Sequence, residues 1–237
     1  MPNNRREFLK YSLLAGGAAL SGCARPTLPD DSGDRLVGPP GYDVPAGHFF
    51  TAAERELVDA AVGRLIPADE LGPGALEAGV REFIDRQLSG PYGRAERWYM
   101  SGPWHDGSEE QGYQMRYSPA ELYRHCIPRV DAWCRDRYGG NFAELRAAQQ
   151  DETLSALENG AIDLGVFDPR DFFRMLWQNA REGFLADPMY GGNQQFIGWK
   201  LIGFPGPRYN YARYITQYGK PYPLPTTGLL GRGGTSV

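Results

Sequence analysis

The 237-residue chain has three cysteines and three histidines, and that scarcity narrows the catalytic and metal chemistries open to it. His48, His105 and His125 are the only imidazoles. A helical di-metal carboxylate site is excluded, because it needs two inward-facing Glu-x-x-His motifs and none is present. No Cys-x-x-Cys-His run offers haem attachment. No Gly-x-Gly-x-x-Gly turns a strand into a helix, so no dinucleotide site of the Rossmann type is expected. Gly191-Gly192 and Gly231-Arg-Gly-Gly234 lack the flanking pattern of a phosphate loop. No nucleophile stands with a plausible base. His105, Asp106 and Glu109 bring together imidazole and carboxylate, which suit several first-row metals, but one His in a loop beside acids reads first as a solvated turn. Glu121 and His125, four apart, suit ordinary helix-surface pairing. There is no excess of basic charge, the formal net charge being −4, so nucleic acid is not an expected partner. The expectation is a chain with no catalytic residue, no metal ligand and no cofactor site of its own.

What is present begins with Arg5 and Arg6. The stretch Asn4-Arg-Arg-Glu-Phe-Leu-Lys10 resembles a twin-arginine translocation signal, in which Arg5, Arg6, Phe8 and Leu9 carry the motif. That route exports folded proteins to the periplasm. The apolar run from Tyr11 to Leu20 is too short for a bilayer, which takes about 20 residues, and reads as a removable signal core over residues 1–22. Leu20-Ser-Gly-Cys23 resembles a lipobox, which makes Cys23 a lipidation candidate. An ordinary signal-peptidase site near Gly22 to Ala24 is the alternative, and one lipid chain alone holds a membrane only marginally. Loss of residues 1–22 moves the formal charge from −4 to −6. Residues 23–47, with Pro26, Pro29, Pro39-Pro40-Gly41 and Pro45, read as a tether without an apolar period.

From residue 48 to 223 the pattern is helical. Thr51 with Glu54 forms a capping box, followed by Leu57, Val58, Ala61, Val62, Leu65 and Ile66 at helical spacing until Pro67. Leu76, Val80, Phe83, Ile84 and Leu88 mark a second helix, ended by Gly90-Pro91. Ser118-Pro119-Ala-Glu121 starts a third, carrying Leu122, Cys126, Val130, Trp133 and Cys134 inward, with a kink expected at Pro128. Asn141 with Glu144 opens a fourth through Leu145 to Leu154 and Leu157. Asp168-Pro169-Arg-Asp171 opens a fifth that buries Phe172, Phe173, Leu176, Ala180 and Phe184. No stretch alternates at period two, so the fold class is all-α: an irregular helical domain of about five or more helices with long aromatic-rich loops. On one continuous helix Cys126 and Cys134, eight residues apart, would lie about 12 Å from each other, too far for a disulfide. Two buried free thiols are expected unless Pro128 breaks the helix between them. Residues 224–237 read as a flexible tail.

Two segments interrupt the helices. Residues 92–117 are rich in Trp, Tyr, Gly and His without an apolar period, as functional or interface loops often are. The other runs from Asp187-Pro-Met-Tyr-Gly-Gly-Asn193 through Phe196, Trp199 and Phe204 into Tyr209, Tyr211, Tyr214, Tyr218 and Tyr222. Rings among glycines and prolines bury large areas at little entropic cost, a composition favoured at interfaces. The candidate partner contacts are therefore Trp98, Trp104, Asp187, Tyr190, Gly191, Gly192, Asn193 and Trp199. The plainer alternative is structural: Asp187-Pro188 can cap a turn, and Gly191-Gly192 permits positive φ.

Leu65-Ile-Pro-Ala-Asp-Glu-Leu-Gly-Pro-Gly-Ala75, Ala78-Gly-Val, Phe83-Ile-Asp-Arg-Gln-Leu88 and Glu182-Gly-Phe-Leu-Ala-Asp-Pro-Met-Tyr-Gly-Gly-Asn193 together resemble the gluconate 2-dehydrogenase subunit 3 family. The resemblance covers roughly residues 50–218. It implies a non-catalytic small subunit of a periplasmic, membrane-associated dehydrogenase acting on sugars, aldonic acids or polyols. It further implies that FAD sits on a large flavoprotein partner of the glucose-methanol-choline oxidoreductase class. A multihaem cytochrome c subunit would carry electrons onward. The small subunit's twin-arginine signal would engage the twin-arginine translocase and escort the flavoprotein. The competing expectation is a free-standing exported lipoprotein with an enzymatic or scaffold role.

Overall fold

In the computed structural model, which describes residues 48–105 and 107–230, three of the six α-helices begin where an N-cap side chain accepts from a free first-turn N–H group. Arg5, Arg6, Phe8, Leu9, Cys23 and the 23–47 tether lie outside the described residues. Helix α1 spans Ala52–Leu65 behind a reciprocal box: Thr51 N–H donates to Glu54 Oε2 at 2.8 Å, and Glu54 N–H donates to Thr51 Oγ1 at 3.3 Å. Helix α2 spans Val80–Ser89, α3 Pro119–Tyr138, α4 Ala147–Glu158, α5 Pro169–Leu185 and α6 Ile197–Leu201. Ser118 and Glu121 repeat the capping box before α3, and the Asp168 carboxylate accepts from Arg170 N–H at 2.9 Å before α5. Among the described residues there are six α-helices and no sheet, only the isolated bridges Asp69–Gly72 and Leu164–Phe167. The all-α expectation holds.

Helix α5 is the hub. It packs most extensively on α2 and α4 and also meets α1, α3 and α6. Its inward side buries Phe172, Met175, Leu176, Ala180 and Phe184, against Val58 of α1, Ile84 and Leu88 of α2, and Leu122 and Tyr123 of α3 in the same core. Removing this apolar area from water, at about 25 cal/mol per Å², is the main drive for the assembly. Two buried polar groups tie the helices at fixed points. Asn179 receives Tyr92 Oη–H at 2.9 Å and donates to Tyr123 Oη at 3.0 Å, linking α5 to α3 and to the segment after α2. Burial pushes the Tyr92 phenol up to about 12, although the Asn179 bond pulls the other way. Asp85, fully buried on α2, accepts from Phe49 N–H, Phe50 N–H and His48 Nδ1. That carboxylate fastens the start of the described chain to the core.

Several local expectations shift. Leu76 is not on α2: it is exposed, and Gly79 at φ +69° turns the chain just before the helix starts at Val80. Asn141 and Glu144 do form a capping box, but around a 3-10 turn at Phe142–Glu144, while α4 waits until Ala147. Leu145 and Arg146 are extended there. The turn is held by α3 and α4 instead, since Asp131 accepts Phe142 N–H at 2.9 Å and Gln150 donates to Phe142 O at 3.1 Å. Trp133 and Phe173 are half-buried rather than core. Helix α3 continues through Pro128, which leaves Cys126 and Cys134 as buried free thiols, as their spacing predicts. Burial raises the Cys134 thiol to about 11 and lifts Cys126 further.

Candidate partner interface

The outward side of α5 carries Arg174, Trp177, Gln178, Arg181 and Leu185, and three clefts of about 1300, 690 and 930 Å³ open along it. Arg174 lines all three. The stripe is self-ordered: Arg174 pairs with Asp171, Arg181 lies over the Trp177 ring at 5.7 Å, and Gln178 donates to Glu182 at 2.7 Å. Charge there is balanced. Arg170 holds the Asp168 carboxyl below its usual range, while burial pushes that of Asp171 up. Among the described residues no three His, Cys, Asp or Glu side chains converge to hold a metal. No described helix is long and apolar enough to cross a membrane. His105 lines the largest cleft, His48 bonds Asp85, and His125 stacks on Phe167 at 5.5 Å.

The irregular 92–117 segment forms one wall. Trp98 is half-buried and braces it, its ring 5.7 Å from Tyr92 and 5.5 Å from Tyr113, so the wall connects through Tyr92 to the Asn179 tie inside the core. Trp104 projects into the first two clefts and is 38% exposed. At the other end Tyr190, 46% exposed, lines the third cleft with Leu185. Trp104 and Tyr190 are thus the available rings of the expected set, at opposite ends of the α5 stripe.

The remaining expected contacts have internal tasks. Asp187 accepts from Met189 N–H at 3.1 Å, capping the Pro188–Tyr190 turn, and from Leu229 N–H at 2.7 Å. Gly191 sits at φ +104°, and a Cβ on Gly192 would stand 2.1 Å from Gly183 O, so the pair lets the loop cross the end of α5. Asn193, fully buried at φ +47°, donates to Ala186 O and accepts from Gly198 N–H and Trp199 N–H. Trp199 is 5% exposed; it stacks on Phe196 at 5.5 Å and donates Nε1–H to Leu185 O at 2.7 Å. The Asp187 cap and the positive φ of Gly191 match the structural alternative for the start of this loop. The outward stripe of α5 is not among the sequence-based candidates, which take only core residues from this helix. The signal was there as Arg174, Trp177 and Arg181, three and four residues apart, opposite the buried face.

A family model described as gluconate 2-dehydrogenase subunit 3 matches residues 52–206. The match opens at the first residue of α1 and runs past the end of α6. No curated protein and no solved structure matches the chain.

Proposed function

The chain belongs to the gluconate 2-dehydrogenase subunit 3 family, and from that premise we propose that it is the non-catalytic small subunit and export escort of an FAD-dependent gluconate or sugar dehydrogenase. The family's name associates its members with a dehydrogenase complex. In this reading FAD and substrate belong to a large flavoprotein of the glucose-methanol-choline oxidoreductase class, and a multihaem cytochrome c subunit takes the electrons. Arg5 and Arg6 address the pair to the twin-arginine translocase. The assembly works in the periplasm, held at the membrane through its partners or a lipid on Cys23. The match across all six helices is the observation that carries the reading. The α5 stripe supplies the means of association: a preordered Arg–Trp face whose clefts are bounded by Trp104 and Tyr190. Aromatic and Arg anchors in such recesses dominate most interfaces.

Replacing Arg5 and Arg6 with Lys, or deleting the gene, is expected to remove dehydrogenase activity from the periplasm while the flavoprotein accumulates in the cytoplasm. Arrival of a folded, active flavoprotein without this chain would sink the escort role. Purification from native membranes distinguishes the alternative: a yellow stoichiometric complex supports the small subunit, and a colourless monomer supports a free-standing lipoprotein.

A further inference from the structure

The charge of the chain changes sign near its end. Residues 48–187 hold fifteen basic side chains against twenty-four acidic ones, whereas residues 188–237 hold Lys200, Arg208, Arg213, Lys220 and Arg232 and no Asp or Glu. The family match ends at Gly206, where a long loop departs from the helices. Its base is closed. Thr227 N–H donates to Pro205 O at 3.3 Å, Leu229 N–H donates to Asp187, and Gly206 lies so near Thr227 O that a Cβ would approach it to 1.8 Å. Within the loop Tyr222 meets Tyr211 at 5.8 Å and Tyr214 at 4.9 Å, and Arg208 lies 5.6 Å above the Tyr222 ring while bonding Pro205 O and Pro225 O. The loop is thus packed by its own side chains with its ends together, the organisation of a functional surface loop.

Its outer residues have no such partners. Tyr209 is fully exposed, Tyr218 is 84% exposed and Ile215 65%. Lys200, Arg213 and Lys220 are exposed and make no ion pair among the described residues. We infer that the 206–228 loop is a docking arm, which sets Tyr209, Ile215 and Tyr218 into apolar recesses on an acidic face of the large flavoprotein subunit. This rests on the small-subunit reading and adds to it a second contact, outside the family-matched helices, and the chemistry of the surface that receives it. A membrane is the poorer occupant. Surface-binding segments are typically amphipathic helices, and anionic lipid recognition typically takes clusters of four to eight cations. Here the one helical element is the 3-10 turn Ala212–Tyr214, and the exposed cations are few and widely spaced. Tyrosines presented on a preorganised loop suit a protein surface, where rigid rings contribute area at low entropic cost. The unpaired cations would set the orientation of encounter and its dependence on salt.

The test uses the full chain co-expressed with its flavoprotein, with affinity measured by titration of the purified subunits between low and physiological salt. Tyr209→Ala, Ile215→Ala and Tyr218→Ala combined should weaken binding at least tenfold, and Arg213→Glu with Lys220→Glu should do the same at low salt while flattening the salt dependence. Circular dichroism and thermal melts matching the unmodified chain verify that these variants are folded. If both variants bind within twofold of the unmodified chain, the arm is refuted while the small-subunit reading stands. If the unmodified chain binds no flavoprotein, both fall. Should the substitutions instead dissolve a dimer of this chain, or release it from anionic vesicles, with flavoprotein affinity unchanged, the arm serves another partner and the inference is overturned.

Discussion

In the helical body, Tyr123 and Phe172 meet edge-on at 5.4 Å inside a closed core, whereas in the 206–228 loop Tyr211, Tyr214 and Tyr222 hold one another and leave Tyr209, Ile215 and Tyr218 in solvent. Both regions are rich in rings. They differ in what the rings bury against. The body surrounds its aromatics with five packed helices and gives the buried polar groups of Asn179 and Asp85 hydrogen-bond partners. The loop has one short 3-10 turn and a base fastened by two backbone N–H groups, those of Thr227 and Leu229, where Gly206 passes close to Thr227 O. Side chains in the first region stabilise the chain that carries them. Those at the outer surface of the second contribute little to it and remain available to another surface.

The contrast breaks most easily in the body. Phe172→Ala should cost about 3–5 kcal/mol, since the ring is 1% exposed beside Tyr123 and its loss leaves a cavity at the hub helix. Urea denaturation would measure it, and a change under about 1 kcal/mol would mean that α5 is not the hub. A smaller effect is expected at the junction between the regions. Asn193→Ala removes the acceptor for Gly198 N–H and Trp199 N–H and the donor to Ala186 O, and it leaves an Ala at positive φ. The expected loss is about 2–4 kcal/mol. Near-neutral stability there would return Asn193 to the list of possible partner contacts.

Local rules explain why the body was legible in advance and the junction less so. Capping boxes act over three residues, so Thr51–Glu54 and Ser118–Glu121 can be read from one window, and both start helices. The box at Asn141 was equally legible, yet it caps only a 3-10 turn because Asp131 and Gln150 claim the backbone of Phe142. That competition comes from other helices. The same holds for Asp187, whose carboxylate reaches Leu229 across forty-two residues, and for Gly192, whose small size matters only because Gly183 O passes over it. Composition flagged the aromatic segments without sorting their rings. Trp199 went inward because Leu185 O and Phe196 were in place to receive it, while Tyr190 stayed at the surface. Spacing along the chain carries no record of such partners.

The smallest expected effect is also the one that defines the loop. Tyr209→Ala, Ile215→Ala and Tyr218→Ala should each shift unfolding free energy by less than about 0.5 kcal/mol, the usual range for surface positions without buried contacts. All three side chains are at least 65% exposed, and no ring contact joins Tyr209 or Tyr218 to the chain among the described residues. Tyr222→Ala is the internal control, because it removes the ring that Tyr211, Tyr214 and Arg208 share and should destabilise more than any of the three. If instead the outer residues cost as much as Tyr222, they brace the fold, and the distinction between rings that hold this chain and rings held out to a partner is lost.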